Sequence, residues 1–325
     1  MPAPLVSVIM NGHNAAPYLR GAIASVTAQT YPQWEIIFWD NQSTDETQAI
    51  IGDFNDPRLR YFLAPTFTPL GEARNLAIRE ARGEFIAFLD CDDVWLPDKL
   101  ERQVPLFTDP EVGLVYSDTI FFNARGDEKR AYGGVLPGRG HCFRQLLGRY
   151  FLSMETVVLR RSVLESRTEW FDPRFNMIEE ADLFRRIAHD WKIDGVADAL
   201  ARWRVHASSW TFRHPELFRE ETLLMLERYR QLYPDFDAEY AHEIAVLMDV
   251  VALSEARDAW LKGNKWPLVQ HFLSRPQFSA RALALAVMFW PASRAALALR
   301  LRGDVLPDEL LTSRSRVLFS SPISA

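Results

Sequence analysis

The chain reads as an α/β protein: a mostly parallel sheet flanked by helices, with a helical appendage at the C-terminal end. Three observations predict this. Apolar runs of strand length alternate with amphipathic stretches of helix length from the N-terminus to residue 100. One of those runs, Phe85 to Leu89, is apolar without a break and stops abruptly at Asp90, Asp92 and Asp93. That pattern suits a strand buried on both faces of a parallel sheet. From about Pro215 onward the pattern is helical only. Alternating strands and helices give parallel pairing with right-handed crossovers. The expected division is a large α/β domain over residues 1–212 and a helical region over 213–325.

Composition narrows the class. With 325 residues and a net charge of −6, the chain is long enough for a large core and is not built to coat nucleic acid. Hydrophobic content of 48% and charged content of 25% are those of a soluble globular protein. Cys91 and Cys142 are far apart and lack metal-ligand spacing, so neither a disulfide framework nor a zinc site is indicated. Met1-Pro2-Ala3-Pro4 lacks the basic-then-apolar layout of a signal peptide, so a cytoplasmic setting is the expectation.

Each element has its own justification. Leu5 to Met10 is a β-branched run ending in the polar loop Asn11-Gly12-His13-Asn14. A helix over Ala16 to Ala28 puts Leu19, Ile23 and Val26 on one face. Trp34 to Trp39 forms a strand ending at Asp40, and Ser43 with Glu46 has the spacing of a capping box for the next helix. Arg58 to Phe62 is a short strand; a helix follows from Gly71 to Ala81, with Gly83 as its stop signal. After the acidic turn, Leu96-Pro97-Asp98-Lys99-Leu100 starts another helix. Val112 to Ser117 and Thr119 to Phe122 read as two strands, Ala124 to Asp127 as a turn, and Gly133 to Gly140 as a long loop. A short helix over Phe143 to Tyr150, a strand over Thr156 to Leu159 and a helix starting at Arg160 come next.

The acidic turn carries the chemistry. Ligands of open α/β sheets bind outside the carboxyl ends of the strands. Three carboxylates there repel one another unless a positive charge lies between them. Mg²⁺ or Mn²⁺, shared between one or two carboxylates and a substrate's phosphates, fits that need. The plain alternative is an acidic loop in which Asp93 or Asp98 caps the helix. No G-x-G-x-x-G or Walker pattern follows the first strand, which argues against a dehydrogenase or a P-loop NTPase.

The order of features resembles the family 2 glycosyltransferases, which have the GT-A fold. The matching pieces are Val6 to Met10 with Asn14, Ser25-Val26 with Gln29 to Pro32, and Glu35 to Ile37 with Asp40 and Ser43 to Asp45. Gly71-x-x-Arg74-Asn75 and Gly83 to Asp93 complete the set. The resemblance implies a nucleoside-diphosphate sugar donor, a divalent metal (Mn²⁺ or Mg²⁺) and transfer with inversion at the anomeric carbon. Carried over by position, Asp40 contacts the base of the donor, with Asn11 and His13 beside it, and Arg74 contacts the nucleotide. Asp90 and Asp92 match an Asp-x-Asp motif: Asp92 as metal ligand, Asp90 nearer the ribose, with Asp90 and His206 as further metal candidates. Two departures bear on the base. Asn41-Gln42 stands where the family often has Asp-Gly, and His13 where a Tyr is common. A UDP-sugar is placed ahead of other donors, without insistence on the base.

In the second half, Glu180 falls where the family places the aspartate that acts as catalytic base, with Glu179 and Asp182 as rivals. Inverting transfer needs one carboxylate to take the acceptor hydroxyl's proton. A helix N-terminus favours the ionised form of such a group. Arg204 and His206 match an Arg-x-His that faces the diphosphate. The acceptor implied is a glycan or lipid-linked hydroxyl. Within 281–302, Ala282 to Ala292 is apolar without interruption and the charges are all arginines, at 281, 294, 300 and 302; that apolar run of about eleven residues is too short to span a bilayer, which takes about 20. Such a segment lies in a membrane interface, packs on a core or forms a dimer contact. The competing functional classes are a sugar-1-phosphate nucleotidyltransferase and a degenerate nucleotide-sugar-binding scaffold.

Overall fold

The computed structural model describes residues 3–275, 283–285, 287, 288, 295, 299 and 304–307. The arginines of the 281–302 segment lie outside the described residues, and with them the membrane-contact expectation. The chain divides into two compact units, one made of Met1–Phe121 and Arg130–Arg204, the other of Phe122–Lys129 and the chain from Val205 onward.

The strands are β1 (Val6–Gly12), β2 (Trp34–Asp40), β3 (Leu59–Leu63), β4 (Phe85–Phe88), β5 (Val94–Trp95), β6 (Val112–Phe122), β7 (Glu128–Arg130), β8 (Val158–Arg160) and β9 (Lys192–Arg204). They form one sheet in the order β3-β2-β1-β4-β8-β6-β9-β5, with β7 beside β6. β1 pairs in parallel with both β2 and β4, and β2 with β3. The β8 pairings to β4 and β6 are antiparallel, as is β5 with β9. The parallel half is therefore the N-terminal four strands. The connection order reverses at β1, whose two neighbours are β2 and β4. Ligand crevices of open α/β sheets form at such a switch point.

The sheet has a core on each face, because successive side chains on a strand alternate sides. Val6, Val8 and Met10 of β1 and Phe85 and Ala87 of β4 pack with Leu19, Ile23 and Val26 of helix α1 (Ala16–Thr27). On the other face Ile9, Ile37, Ile86 and Phe88 pack against α3 (Leu70–Arg79) and α7 (Glu179–Asp190). Between them in the chain are the short helices α2 (Thr47–Gly52), α4 (Lys99–Gln103), α5 (Phe143–Gly148) and α6 (Arg161–Glu165). In the second unit, α8 (Trp210–Arg213), α9 (Leu217–Leu232), α10 (Phe236–Glu239), α11 (Ala241–Leu261) and α12 (Trp266–Leu273) follow. Trp260 of α11 packs with Leu268 and Val269 of α12. Among the described residues, no helix is long and apolar enough to cross a membrane.

Four local expectations are corrected. The capping box of Ser43 and Glu46 does not form; the helix starts at Thr47, whose N–H donates to Asp45 at 3.0 Å. Ser43 instead takes the Asn14 N–H at 2.9 Å, because the turn after β2 is tied to the loop after β1. Residues 112–122 are one continuous strand rather than two. A two-residue strand, β5, precedes the helix expected at Leu96. Gly83 is not a helix cap: α3 ends at Arg79, and a Cβ on Gly83 would stand 2.6 Å from the Ser7 nitrogen. Glycine is needed there for close approach of two backbones.

Candidate active site

The strand register brings the candidate residues to one edge. Gly12 of β1 lies opposite Asp40 of β2, and Asp40 opposite Leu63 of β3. Ile9 lies opposite Phe88, so the turn that starts at Asp90 leaves the sheet beside Asn11 and Gly12. The carboxylate of Asp40 is 1% exposed. It accepts the Ser43 N–H at 2.7 Å and the Tyr61 hydroxyl at 2.8 Å. Burial and this bond to Asp40 push the Tyr61 phenol up. His13 is exposed, with Nδ1 3.0 Å from the Asn41 carbonyl oxygen and its ring edge-on to Phe67 at 5.1 Å. The Asn41 side chain donates to the Thr68 carbonyl at 2.8 Å and accepts the Thr68 N–H at 3.1 Å, which holds the Phe67 loop in place. Asn11 accepts the Cys91 thiol at its carbonyl, 3.4 Å away.

Arg74 ties the acidic turn to α7. Its guanidinium is 3% exposed, donates to Asp90 at 2.8 Å and forms an ion pair with Glu179, and stands 5.7 Å from the Phe171 ring centroid. Burial acts to lower its pKa, but the charges of Asp90, Glu179 and Glu180 outweigh that and hold the guanidinium protonated.

Helix geometry sorts the three rival carboxylates. Glu179, Asp182 and Arg186 stand at i, i+3 and i+7 and so share one face of α7. That face is inward: Glu179 is 3% exposed and Asp182 0%. Asp182 pairs with Arg186 at 2.9 Å, and Arg186 also donates to the Glu169 and Trp170 carbonyl oxygens. Glu180 is rotated by about 100° from Glu179 and is half-buried. Among the described residues its side chain has no ion pair. Burial first, and then the charge of Glu179, push Glu180 up to about 8. This reverses the expectation that the helix N-terminus keeps the base ionised: desolvation is the larger effect.

On the other side of the turn, β9 delivers Arg204. Its N–H donates to Asp93 Oδ1 at 2.8 Å, its Nε donates to the Asp92 carbonyl at 2.8 Å, and the guanidinium lies 4.6 Å from the Tyr18 ring. Asp93 is 1% exposed, with its Oδ2 buried and without a partner among the described residues. It is a stitch between turn and strand, not a helix cap. His206 belongs to the second unit, where its Nδ1 is 2.7 Å from the Ser208 hydroxyl.

The donor set fits a hard divalent cation. Burial first, and then the charges of Asp92, Asp90, Asp40 and Asp93, push the Cys91 thiol well up, so four carboxylates act on one point of the turn. Among the described residues there is no cluster of three candidate ligands. Asp90 and Asp92 supply two carboxylates, the number Mg²⁺ uses when it shares its shell with phosphates.

Sequence reasoning missed Tyr18, Tyr61, Phe67 and Glu155. Glu155 is 1% exposed and accepts hydroxyls from Thr119 at 2.7 Å and Ser153 at 2.7 Å. It stands in a short helical turn between loop segments, without any patterned neighbour. Phe67 left one signal: a large aromatic in a polar loop, 64% exposed.

Residues 7–167 match the family described as Glycosyl transferase family 2. The Escherichia coli UDP-Glc:alpha-D-GlcNAc-diphosphoundecaprenol beta-1,3-glucosyltransferase WfgD is 32% identical over 160 residues, 49% of this chain and 62% of that protein. The putative teichuronic acid biosynthesis glycosyltransferase TuaG of Bacillus subtilis is 41% identical over 103 residues, 31% of this chain and 41% of that protein. The chain thus spans less than two thirds of the length of either relative. The crystal structure of S. aureus TarS superposes with a TM-score of 0.59 at 19% identity, over 97% of this chain and 88% of that one. The mannosyltransferase PcManGT from Pyrobaculum calidifontis, in complex with GDP-Man and Mn²⁺, gives 0.59 at 19% identity, over 92% and 87%. At that identity the two structures speak to the fold, which is GT-A. By that family match and by these relatives, the stretch over residues 7–167, about half of the chain, belongs to the family 2 glycosyltransferases.

Proposed function

We propose that the protein moves a sugar from a nucleoside-diphosphate sugar to a hydroxyl acceptor, with inversion, in the assembly of a polysaccharide or other glycoconjugate. The observation that carries this reading is the double ion pair of Arg74, which joins Asp90 of the strand-end turn to Glu179 at the start of α7. It sets the donor-side carboxylates and the only half-buried acid of the α7 first turn at one place. The names of the relatives support the donor class, since TarS has been solved with UDP and with UDP-GlcNAc, and PcManGT with GDP-Man.

In this reading Asp40, Asn11 and His13 face the nucleoside, with Phe67 closing the same corner. Asp92 and Asp90 hold Mn²⁺ or Mg²⁺, which when bound acts as a Lewis acid toward the diphosphate leaving group. Arg204, anchored on the Asp92 carbonyl and on Tyr18, supplies a fixed positive charge to the same group. His206, two residues on, is kept as a diphosphate contact on the sequence match alone. Glu180 accepts the proton of the attacking hydroxyl. A raised proton affinity suits that role, because a base of pKa near the working pH is the more effective one. Glu179 and Asp182 are each committed to an arginine, Arg74 and Arg186. The acceptor oxygen attacks the anomeric carbon as the diphosphate leaves, in one displacement.

The test is turnover of a panel of nucleotide sugars with Mn²⁺ or EDTA, with proton NMR of the product. An α-linked donor should give a β-linked product. Retention of configuration overturns the single-displacement mechanism.

A further inference from the structure

The turn that carries Asp90 and Asp92 is held at its two ends by different means. Upstream, β4 is buried along its length, and the Leu89 N–H that follows it donates to the Ile9 carbonyl at 3.1 Å. Within the turn the Asp93 N–H donates to the Asp90 carbonyl at 3.1 Å, which makes the four residues one piece. Downstream, β5 is only Val94 and Trp95, paired with Arg202 and Ala201 of β9. Two residues are fewer than a strand usually has. Arg204 stitches the turn to β9 a second time.

Trp95 ties the downstream end to three further elements. Its backbone N–H donates to the Ser25 hydroxyl of α1 at 3.1 Å. Its indole N–H donates to the Glu155 carbonyl at 2.8 Å. Lys99 Nζ of α4 stands 4.4 Å from the ring centroid. These contacts close on themselves. Lys99 donates to the Gln103 side-chain oxygen at 2.6 Å, and the Gln103 amide donates to the carbonyl of Thr156, the neighbour of Glu155, at 2.8 Å. Trp95 is 2% exposed inside this ring of contacts. Lys99 is 0% exposed, and among the described residues it has no ion pair. Burying a lysine without a carboxylate is costly, and an apolar side chain would fill the space more cheaply. What lysine adds here is an N–H over the indole face, which holds the ring in place.

We infer that Trp95 is a positioning residue of the metal site: its caged side chain fixes the downstream end of the Asp90–Asp93 turn and with it the direction of the Asp92 carboxylate. Lys99 acts through Trp95, by holding the ring. The inference rests on the metal reading of Asp90 and Asp92 given above. A two-carboxylate site has few ligands, so its affinity depends on how well each one is aimed.

The test titrates Mn²⁺ alone into the full chain at neutral pH and counts the free ion by its EPR signal. Trp95→Phe should weaken binding about tenfold or more, the usual effect of removing a ligand's support. Trp34→Phe makes the same change at another buried tryptophan of the same core, and should leave binding unchanged. Lys99→Met keeps the indole N–H and should weaken binding about threefold; it decides the matter if Trp95→Phe folds poorly. Equal affinity in wild type, Trp95→Phe and Lys99→Met, or the same loss in Trp34→Phe, overturns the inference and leaves the metal reading standing. A wild type that takes up no Mn²⁺ overturns it too, and thermal shifts by Mn²⁺ with nucleoside diphosphates then show whether the metal reading fails with it.

Discussion

Arg74 and Glu179, separated by 105 positions in the chain, are joined by an ion pair whose side chains are each 4% exposed. The same arginine reaches Asp90 at 2.8 Å, so one side chain fixes the distance between the strand-end turn and the start of α7. A buried charge left without its partner is costly. Arg74→Met should therefore destabilise the protein by about 3–5 kcal/mol, read as a lower urea midpoint. Arg74→Met combined with Glu179→Met should recover much of that loss. Two losses that simply add would show that the pair is not coupled.

Glu180 is the carboxylate of the α7 first turn without an ion pair among the described residues. Glu180→Gln should lower kcat by about 10²–10⁴-fold, the usual worth of a general base, while leaving donor affinity unchanged. Asp182→Asn should act on stability, since it breaks the pair with Arg186. A kcat loss confined to Asp182→Asn would move the role of base to that residue.

The pH profile follows from the same group. Burial and Glu179 push Glu180 up to about 8, so the ionised, proton-accepting form grows as pH rises through that value. The acid limb of kcat/KM should fall as pH drops below about 8, and it should vanish in Glu180→Gln. An acid limb that persists there belongs to another group.

Phe67 and His13 form an exposed aromatic corner beside Asp40. Stacking of a base on such a face is worth about 1–3 kcal/mol. Phe67→Ala should accordingly raise the donor KM by about tenfold or more with kcat held, measured against donor concentration. An unchanged KM would leave Phe67 as a loop residue only.

Much of the fold was legible because strand ends carry their own punctuation. Apolar runs ending in Asp40 or Asp90 located the edge of the sheet that gathers the candidate residues, without any contact being known. Arg74 was found by its place after Gly71, but its two partners were not, because they come from elements 16 and 105 positions away. The choice among Glu179, Glu180 and Asp182 was hidden for a similar reason. It depends on which face of α7 meets Arg74 and Arg186, and three adjacent acids read alike in sequence. The Ser43–Glu46 spacing misled because the Ser43 N–H donates to Asp40 and the Ser43 hydroxyl accepts the Asn14 N–H, which leaves neither for a capping box. Residues 112–122 misled because a polar Ser117-Asp118 in mid-strand reads as a break. In the structure both are 0% exposed, and Asp118 is held by Arg130 at 3.0 Å.

The most direct test of the central claim is thermal stability with a panel of nucleoside diphosphates, each with Mn²⁺ and with EDTA, in wild type and Asp92→Ala. A ligand at 100 times its Kd stabilises by about 2.7 kcal/mol, enough for a clear rise in Tm. The account predicts a rise with one base, present with Mn²⁺, absent with EDTA and absent in Asp92→Ala. No rise with any base, or an equal rise in EDTA, contradicts it.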